Sequence, residues 1–145
     1  MTIIKRYKFF LLIPLVVILL FLSCKKDKSE QIPDVYVNFS LNIASTLYLE
    51  LSTVGGWVNV TGGYKGIVIY RMSTDEFVAF DRACPYDWKV DSAIVNVDTS
   101  GLVLTCHSCD SKFLIIDGSV VSGSASLGLK QYHADYDGQM LHVYN

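Results

Sequence analysis

From residue 34 onward, apolar residues fall in short runs, many of them alternating with polar residues, and turn residues separate the runs. This period of two predicts β-strands, and no stretch of this part shows the helical period of 3.6. The unbroken apolar run 67–70 predicts a strand that is buried on both faces. About ten strands are predicted, at residues 35–41, 47–51, 57–60, 67–70, 77–80, 94–97, 102–105, 113–116, 120–121, 129–136 and 140–144.

The segments between these runs carry turn chemistry. Asp117-Gly118 and Asp137-Gly138 are strong turn signals, because glycine takes a positive φ at no steric cost. Residues 98–101 (Asp-Thr-Ser-Gly) form a hairpin-like connection of the same kind. Many short strands with frequent turns predict an all-β fold, a mostly antiparallel sandwich or small barrel.

The N-terminal segment has a different pattern and is predicted to be a signal peptide over residues 1–23. Three basic residues precede an unbroken apolar run over residues 9–22, which is shorter than the roughly 20 residues of a membrane-spanning helix. The run ends in Phe-Leu-Ser before Cys24, which resembles a bacterial lipobox, so Cys24 is the expected lipid anchor. An uncleaved N-terminal anchor is the alternative. Both place the protein at a bacterial membrane, facing an exported compartment (the periplasm or the cell surface).

Residues 24–33 are polar and charged, which predicts a flexible tether before a folded domain at 34–145. The whole chain has a formal charge of −2, but residues 34–145 carry 6 basic and 12 acidic side chains, a net charge of −6. Phosphate neutralisation needs clustered Lys and Arg, so nucleic acid is excluded as a partner.

Three cysteines follow predicted strands in the domain: Cys84 in Cys-Pro-Tyr-Asp-Trp, and Cys106 and Cys109 in Cys-His-Ser-Cys-Asp. Two tight loops at strand ends can bring their sulfurs together. In an exported protein a disulfide is one interpretation, and both Cys106–Cys109 and Cys84–Cys106 are open as pairings.

The order of these motifs resembles the Rieske iron–sulfur domain, which carries C-x-H in one loop and C-x-x-H in another. The residues that carry the resemblance are the two approaches to the loops (77–85 and 104–106), Phe113, Asp117-Gly118, Gly123-Ser124-Ala125, Leu129 and Tyr132. The resemblance covers roughly residues 34–145. It implies a Rieske-like antiparallel β fold with a larger base and a smaller cluster-binding lobe at about 81–116, and a 2Fe–2S cofactor for electron transfer.

The ligand positions depart from the family pattern. Cys84 and Cys106 match the two family cysteines, but Tyr86 and Cys109 stand where the family has its two histidines. Asp110 replaces a glycine, and His107 replaces a common proline. A phenol is a poor ligand because its reference pKa is near 10, whereas Cys109 could bind as a thiolate and His107 could supply a fourth donor.

Three interpretations of the site stay open. The first is electron transfer through a modified 2Fe–2S centre held by Cys84, Cys106 and Cys109, with Tyr86 or His107. The second is a clusterless, disulfide-stapled interaction module. The third is a structural zinc site with three cysteines and His107. The sequence carries no nucleophile, Walker, zinc-protease or dinucleotide motif, which favours an electron-transfer or binding protein over a stand-alone enzyme.

Overall fold

The computed structural model describes residues 31–145, and its architecture is all-β with antiparallel pairing throughout. The predicted signal peptide, Cys24 and most of the predicted tether lie outside the described residues. Ten strands and one 3₁₀ helix follow in the order β1 (Asn38–Asn42), the 3₁₀ helix (Thr46–Ser52), β2 (Trp57–Val60), β3 (Ile67–Arg71), β4 (Phe77–Asp81), β5 (Val95–Val97), β6 (Val103–Cys106), β7 (Lys112–Leu114), β8 (Val120–Ser122), β9 (Gln131–Tyr136) and β10 (Met140–Tyr144).

The strands form two sheets. The larger has six strands in the order β1-β10-β9-β4-β3-β2, and the smaller has four in the order β5-β6-β7-β8. The smaller sheet lies in the chain between β4 and β9, which are neighbours in the larger sheet. The chain therefore leaves the larger sheet after β4 and returns to it through β9. The lobe built between these two strands contains all three site cysteines. This layout agrees with the base and lobe of the expected Rieske-like fold.

Strands β3 and β4 are buried at every position and separate two hydrophobic cores. Val68 and Phe80 face the first core, which they share with the lobe, while Ile67 and Ile69 face the second. The second core is completed by apolar side chains of β1, β9 and β10 and by Leu51. The continuous apolar run at 67–70 therefore has the two-sided burial that the sequence predicts.

The predicted strand at 47–51 is wrong, because these residues form the 3₁₀ helix. The Ser45 side chain caps it by accepting a hydrogen bond from the Leu47 backbone N–H. A 3₁₀ helix repeats every three residues, so Tyr48 and Leu51 pack on the second core. Leu47 and Leu49 are 77% and 62% exposed. Burial in this segment therefore does not follow the alternation of the leucines.

Within residues 31–145, no helix is long and apolar enough to cross a membrane.

Candidate metal centre

The first cysteine loop begins where β4 ends. Ala83 forms an isolated antiparallel bridge with Ile94, and the Cys84 backbone N–H donates to the Ala93 carbonyl over 3.1 Å. These contacts close the loop at its base. The Lys65 ammonium group donates to the carbonyl oxygens of Val90 and Ala93, which holds the far arm of the loop against the larger sheet's β2–β3 connection.

The second cysteine loop is the tight connection between β6 and β7. The Cys106 backbone N–H donates to the Ser111 carbonyl over 2.9 Å, so only four residues, 107–110, make the turn. Asp110 has a φ of +55°, in the left-handed region. This is the position at which the Rieske pattern has glycine, and aspartate is among the residues that tolerate this region best. The turn therefore has the left-handed backbone at this position with aspartate in place of glycine.

A third segment, residues 123–125, packs against the second cysteine loop at Ser111. The Ser111 side chain is fully buried, and its hydroxyl accepts a hydrogen bond from the Ala125 N–H over 3.0 Å. Gly123 has a φ of +101°, and a Cβ there would lie 2.4 Å from the Ser111 Cα. Only glycine fits this contact. Gly123 and Ala125 belong to the Gly-Ser-Ala segment that carries part of the sequence resemblance.

The two loops bring together the sulfurs of Cys84, Cys106 and Cys109, which all lie within 4.8 Å of one another. The Sγ atoms of Cys84 and Cys109 are 3.4 Å apart. Cys84 and Cys106 are fully buried, whereas Cys109 is partly exposed, and all three are free thiols. At the surface the loops also meet through the hydroxyls of Ser92 and Ser108, 3.1 Å apart.

The surroundings of the sulfurs differ in their effect on ionisation. Burial raises the pKa of the Cys84 thiol to about 12, although backbone hydrogen bonds from Tyr86 and Asp87 favour its thiolate. Burial also acts to raise the pKa of Cys109, but hydrogen bonds with the Ser111 hydroxyl and backbone, and contacts with the other two cysteines, hold it below its ordinary value. The Cys109 sulfur lies 3.1 Å from the Ser111 hydroxyl oxygen. Cys109 is therefore the thiol that ionises more readily of the two.

The other two predicted ligands, Tyr86 and His107, are both exposed. Tyr86 is 56% exposed, and its part in the site is the backbone hydrogen bond to Cys84. His107 is exposed and lies outside the group of three sulfurs.

The sequence analysis did not single out Ser111. The only feature of the sequence that pointed to this residue was its position two residues after Cys109.

A second supporting residue that the sequence analysis missed is Asp81. Its carboxylate is fully buried and accepts hydrogen bonds from the N–H groups of Tyr64, Lys65 and Ala83 and from the Tyr132 hydroxyl. Burial and the Asp81 carboxylate raise the pKa of Tyr132 well above its ordinary value, which keeps its hydroxyl a donor. Ala83 directly precedes Cys84, so Asp81 positions the approach to the first loop.

The donor set does not fit a Rieske-type 2Fe–2S cluster. Such a cluster needs two ligands on each of its two irons. The family pattern assigns Cys84 and Cys106 to one iron and the position of Cys109 to the other, yet the Cys109 sulfur lies 3.4 Å from that of Cys84. Tyr86 and His107, the remaining candidates for the second iron, are exposed. Three thiols of mixed burial do form a soft donor group compatible with metal binding.

Fold and site together define an all-β domain with a three-cysteine group between two loops of its smaller lobe. No protein-family model matches the chain, and no curated protein matches it. Among solved structures, it is similar to a protein from Mycobacterium tuberculosis described as an NADH-dependent nitrite reductase small subunit. The identity is 16%, the TM-score is 0.46, and the match covers 77% of this chain and 97% of the other.

Proposed function

We propose that the chain is a metal-binding protein of Rieske-like fold, with Cys84, Cys106 and Cys109 as its ligands. One observation carries the proposal: three sulfurs from two separate loops lie within 4.8 Å of one another. Free cysteines are common in cores as small hydrophobic residues, but three that converge in this way form a thiolate donor set.

The loops support this role through their backbone. Tyr86, Asp87 and Ser111 supply backbone hydrogen bonds to the sulfurs of Cys84 and Cys109. Such bonds stabilise negative charge on sulfur, which metal binding requires because the ligand is the thiolate. A bound cation would favour the thiolate of Cys84 further, against the burial that keeps this thiol neutral in the metal-free protein.

Metal analysis of the purified protein tests the proposal. We expect the full chain, isolated from cells in detergent without oxygen, to hold zinc, copper or iron in a stoichiometric amount. Replacing all three cysteines by serine is expected to abolish this content, because thiolates select these metals. Cys24→Ser is the matched control and should leave the metal content unchanged. Equal metal content in the triple variant would contradict the proposal.

A disulfide is the second candidate, and the contact between Cys84 and Cys109 favours a pairing that the sequence analysis did not weigh. Their sulfurs are 3.4 Å apart, and the bond would close a loop between positions 25 residues apart. In the chain-entropy model a loop of this length stabilises by about 3.5 kcal/mol. Alkylation before and after reduction separates the candidates: a metal-free protein with one free thiol among the three indicates the disulfide-stapled module.

We also propose that the protein is lipid-anchored through Cys24 at a bacterial membrane. The support is the sequence alone: a basic start, a short apolar run and a small residue before Cys24. Cells given a fatty-acid analogue should label the wild type and not Cys24→Ser, which should accumulate as precursor. Several acyl chains give stable attachment, whereas a single chain binds only marginally. Equal labelling of both proteins would contradict the proposed lipid anchor at Cys24.

A further inference from the structure

The spacing of the three sulfurs matches the ligands of one metal ion. Zinc–sulfur bonds are about 2.3 Å long, which places the sulfurs of a tetrahedral site about 3.8 Å apart. Here the Cys84 and Cys109 sulfurs are 3.4 Å apart, and no pair in the group exceeds 4.8 Å. A small adjustment of side-chain torsions brings all three sulfurs to a single ion.

The same spacing disfavours two irons. In a 2Fe–2S cluster the bridging sulfides hold the irons apart, and ligands of different irons point away from each other. Contact between Cys84 and Cys109 places both sulfurs on the same side of any such cluster. The second iron would then need donors from other side chains. Within residues 31–145, the three sulfurs are the only group of three or more His, Cys, Asp or Glu ligand atoms close enough together to hold an ion.

The surroundings of the sulfurs resist the rearrangement that a larger cluster requires. The second loop is held by the Cys106–Ser111 backbone bond and by the Ala125 N–H on the Ser111 hydroxyl. Gly123 packs against the Ser111 backbone with no room for a Cβ. Cys84 and Cys106 belong to the close-packed first core, in which they are fully buried.

We propose that the centre is mononuclear, a single thiophilic ion such as Zn²⁺ bound by Cys84, Cys106 and Cys109. Cys109 is the partly exposed member of the group, so the fourth coordination position faces solvent on its side and takes water or an external ligand. Three protein ligands and one open position are the arrangement of reactive zinc sites, whereas structural sites are closed by four. This inference rests on the proposed function and specifies its metal and nuclearity.

Titration with Co²⁺, a coloured stand-in for Zn²⁺, tests the inference. The full chain carries Cys24→Ser in every sample, so that it contains only the three site thiols, and is kept reduced in detergent without oxygen. We expect one Co²⁺ per chain, with thiolate-to-cobalt charge transfer and tetrahedral visible bands, displaced by one Zn²⁺. Each of Cys84→Ser, Cys106→Ser and Cys109→Ser should lower the charge-transfer intensity by about a third, since three thiolates contribute, and affinity by at least about tenfold.

His107→Ala is the matched control and should leave the spectrum and affinity unchanged, because His107 is exposed and lies outside the group of three sulfurs. Loss of the tetrahedral bands in His107→Ala would overturn the open position in favour of a closed site of three cysteines and one histidine. Reconstitution with Fe²⁺ and sulfide forms the second arm. Two irons and two sulfides per chain would overturn the single ion but leave metal binding intact, whereas three reduced thiols that bind neither Co²⁺, Zn²⁺ nor iron would overturn both proposals.

Discussion

At the residue scale, Asp81 shows how a buried charge organises the base of the site. Its carboxylate accepts four hydrogen bonds, from three backbone N–H groups and one phenol. The donors come from the connection before β3, from the start of the first cysteine loop and from β9. Gly63 lies so close that a Cβ would be 2.5 Å from the carboxylate, at a φ of +62°. A buried carboxylate is tolerated when its oxygens are satisfied in this way.

Asp81→Asn is expected to lower the free energy of unfolding by about 2–3 kcal/mol. The amide that replaces one carboxylate oxygen is a donor, and it faces N–H groups that then lose their acceptor. Tyr132→Phe removes one of the four bonds and should cost about 1 kcal/mol. Urea denaturation measures both. The exposed Asp75→Asn is the control, expected within about 0.5 kcal/mol of wild type, and an equally small change in Asp81→Asn would contradict the role assigned to Asp81.

At the element scale, strand prediction succeeded where side chains alternate between two environments. Ten of the predicted runs form strands. The predicted connections at residues 98–101 and at Asp137-Gly138 join β5 to β6 and β9 to β10. The run at 47–51 failed, because its leucines alternate while burial follows a period of three. A pattern of residue types cannot distinguish an exposed leucine from a buried one when the spacing also fits a strand.

Two alanine substitutions distinguish the helix from the predicted strand. In a strand, Leu49 and Leu51 would lie on the same face, so replacing either by alanine would lower the free energy of unfolding by a similar amount. In the 3₁₀ helix Leu51 is fully buried and Leu49 is 62% exposed. Leu51→Ala should therefore lower the free energy of unfolding by about 2–4 kcal/mol, and Leu49→Ala by less than about 0.5 kcal/mol. Equal losses in thermal or urea unfolding would favour the strand.

The candidate site was predictable only in part, for a similar reason. Strand-end loops indicated that three cysteines could meet, and the structure brings their sulfurs together. The contact between Cys84 and Cys109 depends on the sharp turn at Asp110 and on the packing of Gly123 against Ser111. These features depend on the backbone conformation and on contacts between distant parts of the sequence. The spacing of the cysteines alone therefore could not predict which two sulfurs come into contact.

At the scale of the whole molecule, the lobe and the base share a core. Val68 and Phe80 of the larger sheet pack with Leu104 and Phe113 of the smaller one. The lobe therefore lacks a hydrophobic core of its own, and its cysteine loops depend on the base for their geometry. A domain built in this way is expected to unfold in a single transition.

Single-tryptophan variants test this expectation, because one tryptophan lies in each part. Trp57 is in β2 of the larger sheet, and Trp88 is in the first cysteine loop, where its ring meets Tyr64 edge-on. We expect Trp57→Phe and Trp88→Phe each to show a fluorescence transition in urea that coincides with the loss of β-sheet circular dichroism. A loop signal that changes at lower urea than the circular dichroism would show that the lobe unfolds separately.

The two-sided burial of β3 and β4 has a consequence for how the sequence can vary. In β10, buried and half-exposed positions alternate, so every second residue can drift toward polar types without loss of packing. At residues 67–70 of β3 and 77–80 of β4, each side chain faces one of the two cores and has no such freedom. A library of random variants selected for folding should therefore be depleted of polar substitutions at consecutive positions of residues 67–70 and 77–80, and at alternate positions of β10. The centre of the larger sheet would then change more slowly than the two cysteine loops.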